Sequence, residues 1–312
     1  MRLQGIRVTV TLTAAPRDTR GIARFTNKHL AHVRSVVAAR YHSRPSRQFD
    51  LNLFLEDIKP VWLPCARRNA LIPNQEWVRS KHRPLLPSLD AVLCKTVHAQ
   101  DIFRKLGCLT EYVSFTCLDR FDPAVPRVPL RVLHLAGDSP VKGTGAVIDL
   151  WRDHPEWPRL TLVQSRRMAP RVALPNVDHI TRRVDDGELL RMQNAHAVHL
   201  CPSEAEGFGL SIAEALSAGA VAVVTDAPPM NELAAPGRAL MVACSHSEPM
   251  GLGARYQVNP RALEQKTAEA LAMPADERQR MGANARAWFV ENDAFFRRRF
   301  TEVMSGLVSA SA

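Results

Sequence analysis

Between Cys201 and Gly219 the chain reads CPSEAEGFGLSIAEALSAG. An apolar run ending at Leu200 is predicted to be a buried strand. A loop holding Gly207 and Gly209 follows, and apolar positions at helical spacing begin near Leu210. Backbone N–H groups in such a loop and at a helix N-terminus carry partial positive charge, and the small residues let a phosphate come close. Glu206 and Glu214 bracket this turn, one in the loop and one a turn into the helix. Carboxylates repel phosphate but accept hydrogen bonds from sugar and ribose hydroxyls. Either glutamate alone would read as an acid favouring a helix N-terminal end. The two together, around Gly-Phe-Gly, point to a ligand that carries both phosphate and sugar.

The elements that must position these residues are regular in the second half. RVLHLAG, TGAVIDLWRDH, RLTLVQS, VDHITRRV, DGELLRMQNA, HAVHLCPS, LSIAEALSAG and VAVVTD alternate strand-like and amphipathic helical patterns. Such alternation implies an α/β fold with a parallel sheet covered by helices on both faces, Rossmann-like, with ligands at the carboxyl ends of the strands. In the first half IRVTVTLT, FDLNLFLE, NALIPN, DAVLCK and TEYVSF are strand candidates, so a smaller α/β domain is expected there. With 312 residues, two domains are the natural expectation. The proline-bearing segment VPRVPLR, Val125 to Arg131, reads as the linker, which divides the chain into residues 1–127 and 128–312. From Arg278 to Leu307, Trp288, Phe289, Phe295, Phe296, Phe300 and Val303 fall at helical spacing and predict one or two long packed helices.

The net charge of +10 is unevenly placed: residues 1–128 hold 21 Lys and Arg against 10 Asp and Glu, whereas residues 129–312 hold 20 against 21. A basic first domain suits an anionic partner, such as an anionic membrane surface or a phosphorylated molecule, although arginine-rich surfaces also arise without one. Nucleic-acid binding is the alternative class; only 6% aromatic residues and no recognised motif speak against it. No apolar stretch approaches a spanning helix and no secretory leader is apparent, so a cytoplasmic protein is expected, peripheral at the inner membrane face if it meets lipid. The six cysteines form no C-x-x-C pair, which suits reduced thiols rather than a zinc site.

The run EGFGLSIAE is similar to the Glu-x7-Glu motif of retaining GT-B glycosyltransferases, the family of glycogen synthases and of bacterial envelope mannosyl- and glucosyltransferases. The resemblance extends through PSEAEGFGLSIAEALSAGAVAVVTDAPPMNEL, whose last glutamate is Glu232, and upstream to HLAGDSPVKGTGAVIDLW. It implies two Rossmann-like domains facing a central cleft, with a C-terminal helix crossing back to the first. It also implies a nucleoside-diphosphate sugar as donor, no cofactor, no metal, and a glycan or lipid-linked acceptor in envelope polysaccharide or lipopolysaccharide synthesis. Carried onto this chain, Glu206 would bond a donor-sugar hydroxyl, Glu214 the ribose and Lys142 the departing diphosphate. Gly137, Asp138 and Gly143 would frame that phosphate loop, and the amides of Gly207, Phe208, Gly209 and Leu210 would complete the cradle. A cation at the leaving group stabilises the charge that develops as the anomeric bond breaks.

One position departs from the family. Asp138 stands where relatives carry an arginine, and the spacing to Lys142 is one residue shorter. RLTLVQS ends just before Arg166 and Arg167, on the sheet edge expected to hold the Lys142 loop, so these arginines are candidates for the second phosphate contact. In the first half, RGIARFTNKHL resembles an acceptor-side loop and helix, which nominates Gly21 and Arg24. LIPNQEW ends a strand where relatives place a histidine facing the donor sugar, which nominates Asn74 and Glu76. Asp119 stands where relatives often have Asp, with helix or loop capping an equal explanation, and His98 reads as structural. A non-catalytic GT-B binding protein, an inverting or phosphorylase-type enzyme and an epimerase remain alternatives that the two glutamates disfavour.

Overall fold

The computed structural model describes residues 49–169 and 173–309. The strand expected at IRVTVTLT and the acceptor-side candidates Gly21 and Arg24 lie outside the described residues. The first domain, as described, is a parallel sheet of β1 (Phe49–Glu56), β2 (Ala66–Pro73), β3 (Ala91–Cys94) and β4 (Thr110–Tyr112), in that spatial order. Helix α1 (Val97–Lys105) joins β3 to β4 and is capped by Thr96, whose Oγ1 accepts from the Ala99 amide at 3.1 Å. Between β2 and β3 the chain takes a 3-10 path over Ser80–Ser88, because Pro84 and Pro87 withhold the N–H groups an α-helix would need. Trp62, Leu71, Leu86, Val92 and Phe103 fill the core beneath one face.

The second domain is a six-stranded sheet in the order β10-β9-β8-β5-β6-β7. Its strands are β5 (Val128–Gly137), β6 (Leu160–Gln164), β7 (Val177–Ile180), β8 (His196–Cys201), β9 (Val221–Thr225) and β10 (Leu240–Val242). All neighbours are parallel. β5 begins inside the segment read as linker. Every residue of β8 and β9 is buried, as strands covered on both faces must be. Three buried histidines sit in these central strands, His134 on β5 and His196 and His199 on β8. His134 on β5 bonds the Leu200 carbonyl through Nδ1 at 2.8 Å and the Thr144 hydroxyl through Nε2 at 3.0 Å. Burial pushes His134 down to about 4 and His199 to about 3, so both are neutral structural groups. Helices α2 (Thr144–Asp153), α3 (Asp186–Ala195) and α4 (Leu210–Ser217) cover the faces. Strand order reverses between β5 and β8, the switch point at whose carboxyl strand ends ligands bind in sheets of this kind.

Three further helices complete the domain: α5 (Met230–Leu233), α6 (Pro260–Ala272) and α7 (Ala275–Ser309). An antiparallel hairpin, β11 (Cys244–Met250) with β12 (Gly253–Val258), leaves the sheet after β10. α7 is one continuous 35-residue helix, roughly 50 Å long at 1.5 Å per residue. Near its start Ala285 packs in the second domain. Near its end Val303 joins Ala70, Ile72, Leu93 and Val113 of the first. Ser114 Oγ donates to Asn292 Oδ1 at 2.6 Å and Thr116 Oγ1 to Asp293 Oδ1 at 2.8 Å, so the crossing is pinned by hydrogen bonds as well as by apolar contact.

Candidate active site

Two loops meet at the switch point. The loop after β5 ends in Lys142 and Gly143, and the loop after β8 runs from Pro202 to Gly209. Gly143 has φ +68°, and a Cβ there would collide with the Pro202 carbonyl, so only glycine lets the two loops touch. The Glu204 amide donates to the Val141 carbonyl at 2.8 Å and locks them together. Lys142 Nζ thereby reaches Glu206 Oε1, and it also donates to Ser211 Oγ at 3.1 Å. The two side chains are only 16% and 11% exposed, so this pair is nearly buried rather than open to solvent. Gly209, with φ +111°, is the N-cap of α4, whose first turn begins at Leu210, and Gly207 and Phe208 belong to the loop that leads into it. An ammonium, a helix N-terminus and a carboxylate within one crevice can hold an anion beside hydroxyl groups.

The first domain supplies the opposite wall. At the carboxyl end of β2, Asn74 lies against Gly207 so closely that a Cβ on Gly207 would strike its amide. Gln75 Nε2 donates to the Glu206 carbonyl at 2.8 Å. Glu76 is 6% exposed, and its Oε2 has no hydrogen-bond partner among the described residues. Burial, the Glu206 and Glu56 carboxylates nearby, and only partial compensation by Lys95 push its carboxyl up to about 7. Asn74 Nδ2 donates to Glu56 Oε1 at 3.1 Å, and Lys95 Nζ donates to Asn74 Oδ1. The sequence candidates Asn74, Glu76, Glu206 and Lys142 therefore share one cleft.

Glu214 stands one turn into α4 with its carboxylate oriented by Gln193 Nε2 at 2.9 Å and Arg120 Nη2 at 3.5 Å. Burial raises its pKa against the pull of Arg120. Asp138 and Gly137 are exposed at the end of β5, and Gly137 takes φ +55°. Asp138 accepts from Arg167 through Nε at 3.2 Å and Nη2 at 2.6 Å, and from Ser165 Oγ at 2.6 Å. Arg167 is thus committed to a carboxylate, and Arg166 is exposed. Glu232 accepts from the Val97 and His98 amides, each at 2.7 Å, so it caps α1 across the domain boundary. Asp119 accepts from Arg286 and from Ser217 Oγ at 2.9 Å, which also joins the domains. Among the described residues no group of His, Cys, Asp or Glu could hold a metal ion.

Sequence reading missed Gln75, Lys95, Arg120 and the Glu204–Arg255 pair. In that pair Arg255 of the hairpin donates through Nε to Glu204 Oε2 at 2.7 Å, and the Tyr256 amide donates to the Glu204 carbonyl at 2.7 Å. The hairpin tip then reaches the first domain, where the Leu252 amide donates to the Gln75 carbonyl at 2.9 Å. A lysine ending the short apolar run DAVLCK was the one local signal for Lys95.

Residues 164–288 match the family model described as glycosyl transferases group 1. No curated protein matches the chain. Among solved structures it is similar to sucrose-phosphate synthase from Thermosynechococcus elongatus, at 17% identity and TM-score 0.69 over 95% of this chain and 82% of that one. A glycosyltransferase from Rickettsia africae aligns at 13% identity and TM-score 0.66, covering 88% and 81%. An E. coli trehalose-6-phosphate protein bound with UDP-2-fluoro glucose aligns at 15% and 0.63, covering 91% and 78%. Residues 164–288 are accordingly a group 1 glycosyl transferase domain, set in a chain with the two-domain GT-B fold.

Proposed function

We propose that the protein transfers a sugar, with retention of anomeric configuration and without a metal, from a nucleoside-diphosphate sugar to a hydroxyl of a glycan or glycolipid. The observation that carries this reading is the Lys142–Glu206 pair at the switch point, beside the Gly207–Gly209 turn that opens α4. A donor entering there exchanges the ion pair for two better-matched contacts. Lys142 meets the diphosphate, the amides from Gly207 to Leu210 meet phosphate oxygens, and Glu206 accepts from a sugar hydroxyl. Glu214, already oriented by Gln193 and Arg120, accepts from the ribose. Asn74 and Glu76 face the sugar from the first domain.

As the anomeric bond breaks, negative charge grows on the diphosphate, and Lys142 and the helix N-terminus stabilise it. The acceptor oxygen attacks from the face the diphosphate leaves, and the departing phosphate oxygen takes its proton. UDP is the nucleotide of the E. coli neighbour's bound donor analogue, which makes UDP-sugars the first donors to try. Envelope polysaccharide or glycolipid synthesis is the setting that suits a glycan or lipid-linked acceptor. The test is release of nucleoside diphosphate from UDP-, GDP- and ADP-sugars, with EDTA present. Turnover by the wild-type chain is expected, with a loss of about 10²–10³-fold in Lys142→Ala, the size seen when one charge-stabilising donor is removed, and a marked loss in Glu206→Gln, which weakens the acceptor for the sugar hydroxyl. Nucleotide binding with no release under any acceptor would leave a binding protein instead.

A further inference from the structure

Lys95 directly follows β3, which ends at Cys94, and is 7% exposed. Its ammonium makes a single hydrogen bond, to the neutral Asn74 amide oxygen, and lies 5.2 Å from the centroid of the Phe115 ring. Among the described residues it has no ion pair. A buried ammonium with one neutral partner is poorly compensated, since three donors and a full charge have left water. Burial accordingly lowers its proton affinity, against the pull of Glu76, Glu56 and Glu206.

Two independent contacts fix where Lys95 sits relative to the donor loop. Asn74, which it bonds, packs directly on Gly207. Phe115, which it overlies, meets the Phe208 ring edge-on at 5.7 Å. Lys95 therefore stands over the Gly207–Phe208 turn from the first-domain side, and Lys142 stands beside the same turn from the second. Asp138, in the position of the family's second phosphate cation, is a carboxylate and engages Arg167.

We propose that Lys95 is the second cation of the donor site, reaching the diphosphate across the cleft opposite Lys142. The inference rests on the donor reading above and adds to it that phosphate binding is divided between the two domains. The diphosphate then closes the cleft by bridging them, and Lys95 gains the anionic partner its burial calls for.

The test measures affinity of the whole chain for UDP, GDP and ADP, and for the corresponding nucleosides, in wild type, Lys95→Met, Lys142→Met and Arg167→Ala. Methionine is an unbranched apolar side chain of similar length and removes the ammonium. Diphosphate affinity is expected to fall ten- to a hundredfold in Lys95→Met, the loss of one charge-assisted contact, while nucleoside affinity stays unchanged. Arg167→Ala is expected to change it less than threefold, because Asp138 already balances that guanidinium. Wild-type diphosphate affinity in Lys95→Met, with a loss in Lys142→Met, would overturn the proposal and leave the donor reading standing. No affinity for any nucleotide in wild type would overturn both. Lys95→Gln, which keeps a polar donor at the position without the charge, carries the same two outcomes should the methionine variant fail to fold.

Discussion

Glu76 shows what a site does to one side chain. Its carboxyl is pushed from 4.5 up to about 7 by burial first and by neighbouring carboxylates second. The folded protein therefore holds a proton there that the unfolded chain releases, and stability falls as pH rises from about 4.5 to 7. Glu76→Gln keeps the shape and removes the titration. It is expected to be more stable than wild type by about 2–4 kcal/mol at pH 8, with the gap closing as pH falls toward 4.5. Urea unfolding at several pH values measures this, and a gap that ignores pH would contradict the assignment. Glu206, Glu214 and Lys142 were legible in the sequence because one local turn sets the spacing of the first two and a matching loop carries the third. Lys95 was not, because its meaning lies in Asn74, Phe115 and Gly207, which three separate segments bring to it.

At the scale of elements, FDLNLFLE and DGELLRMQNA form the strand and helix their patterns predict, residue for residue. Apolar period and caps act locally there, so the sequence carries them. The β11–β12 hairpin carries no strand pattern in the sequence, for a physical reason. CSHSEPM is exposed along most of its length and contains a proline, so no burial alternation marks it as a strand. Its tip nevertheless joins the domains. Gly251 has φ +59° and lies against the Glu76 carbonyl, where any Cβ would collide. Gly251→Val is expected to cost about 1–3 kcal/mol and to loosen the hairpin from the first domain. Gly145, in α2 with open space around it, is the control: Gly145→Ala is expected to stabilise by about 0.5–1 kcal/mol. Thermal unfolding of both variants reads the difference, and equal shifts would remove the hairpin from the inter-domain contact.

For the whole molecule, the crossing helix α7 and the clasps made by Glu232 and Asp119 set how the two walls of the cleft face each other. The strongly basic character belongs elsewhere: residues 1–48 hold 10 Lys and Arg against one Asp, so most of the excess lies outside the described residues. If that segment meets an anionic membrane surface, binding to phosphatidylglycerol vesicles is expected at low salt. It should fade steeply as the Debye length drops to about 8 Å near physiological ionic strength. Indifference to such vesicles at low salt would favour a soluble acceptor. Lys142 and Glu206 hold a nucleotide-sugar donor in the proposed function, and thermal stabilisation by a panel of UDP-, GDP- and ADP-sugars is the measurement that bears on it. One donor at a hundred times its Kd is expected to add ~2.7 kcal/mol to the wild-type chain and to do so far less in Lys142→Ala and Glu206→Gln. No shift from any donor in wild type, or an undiminished shift in both variants, would contradict it.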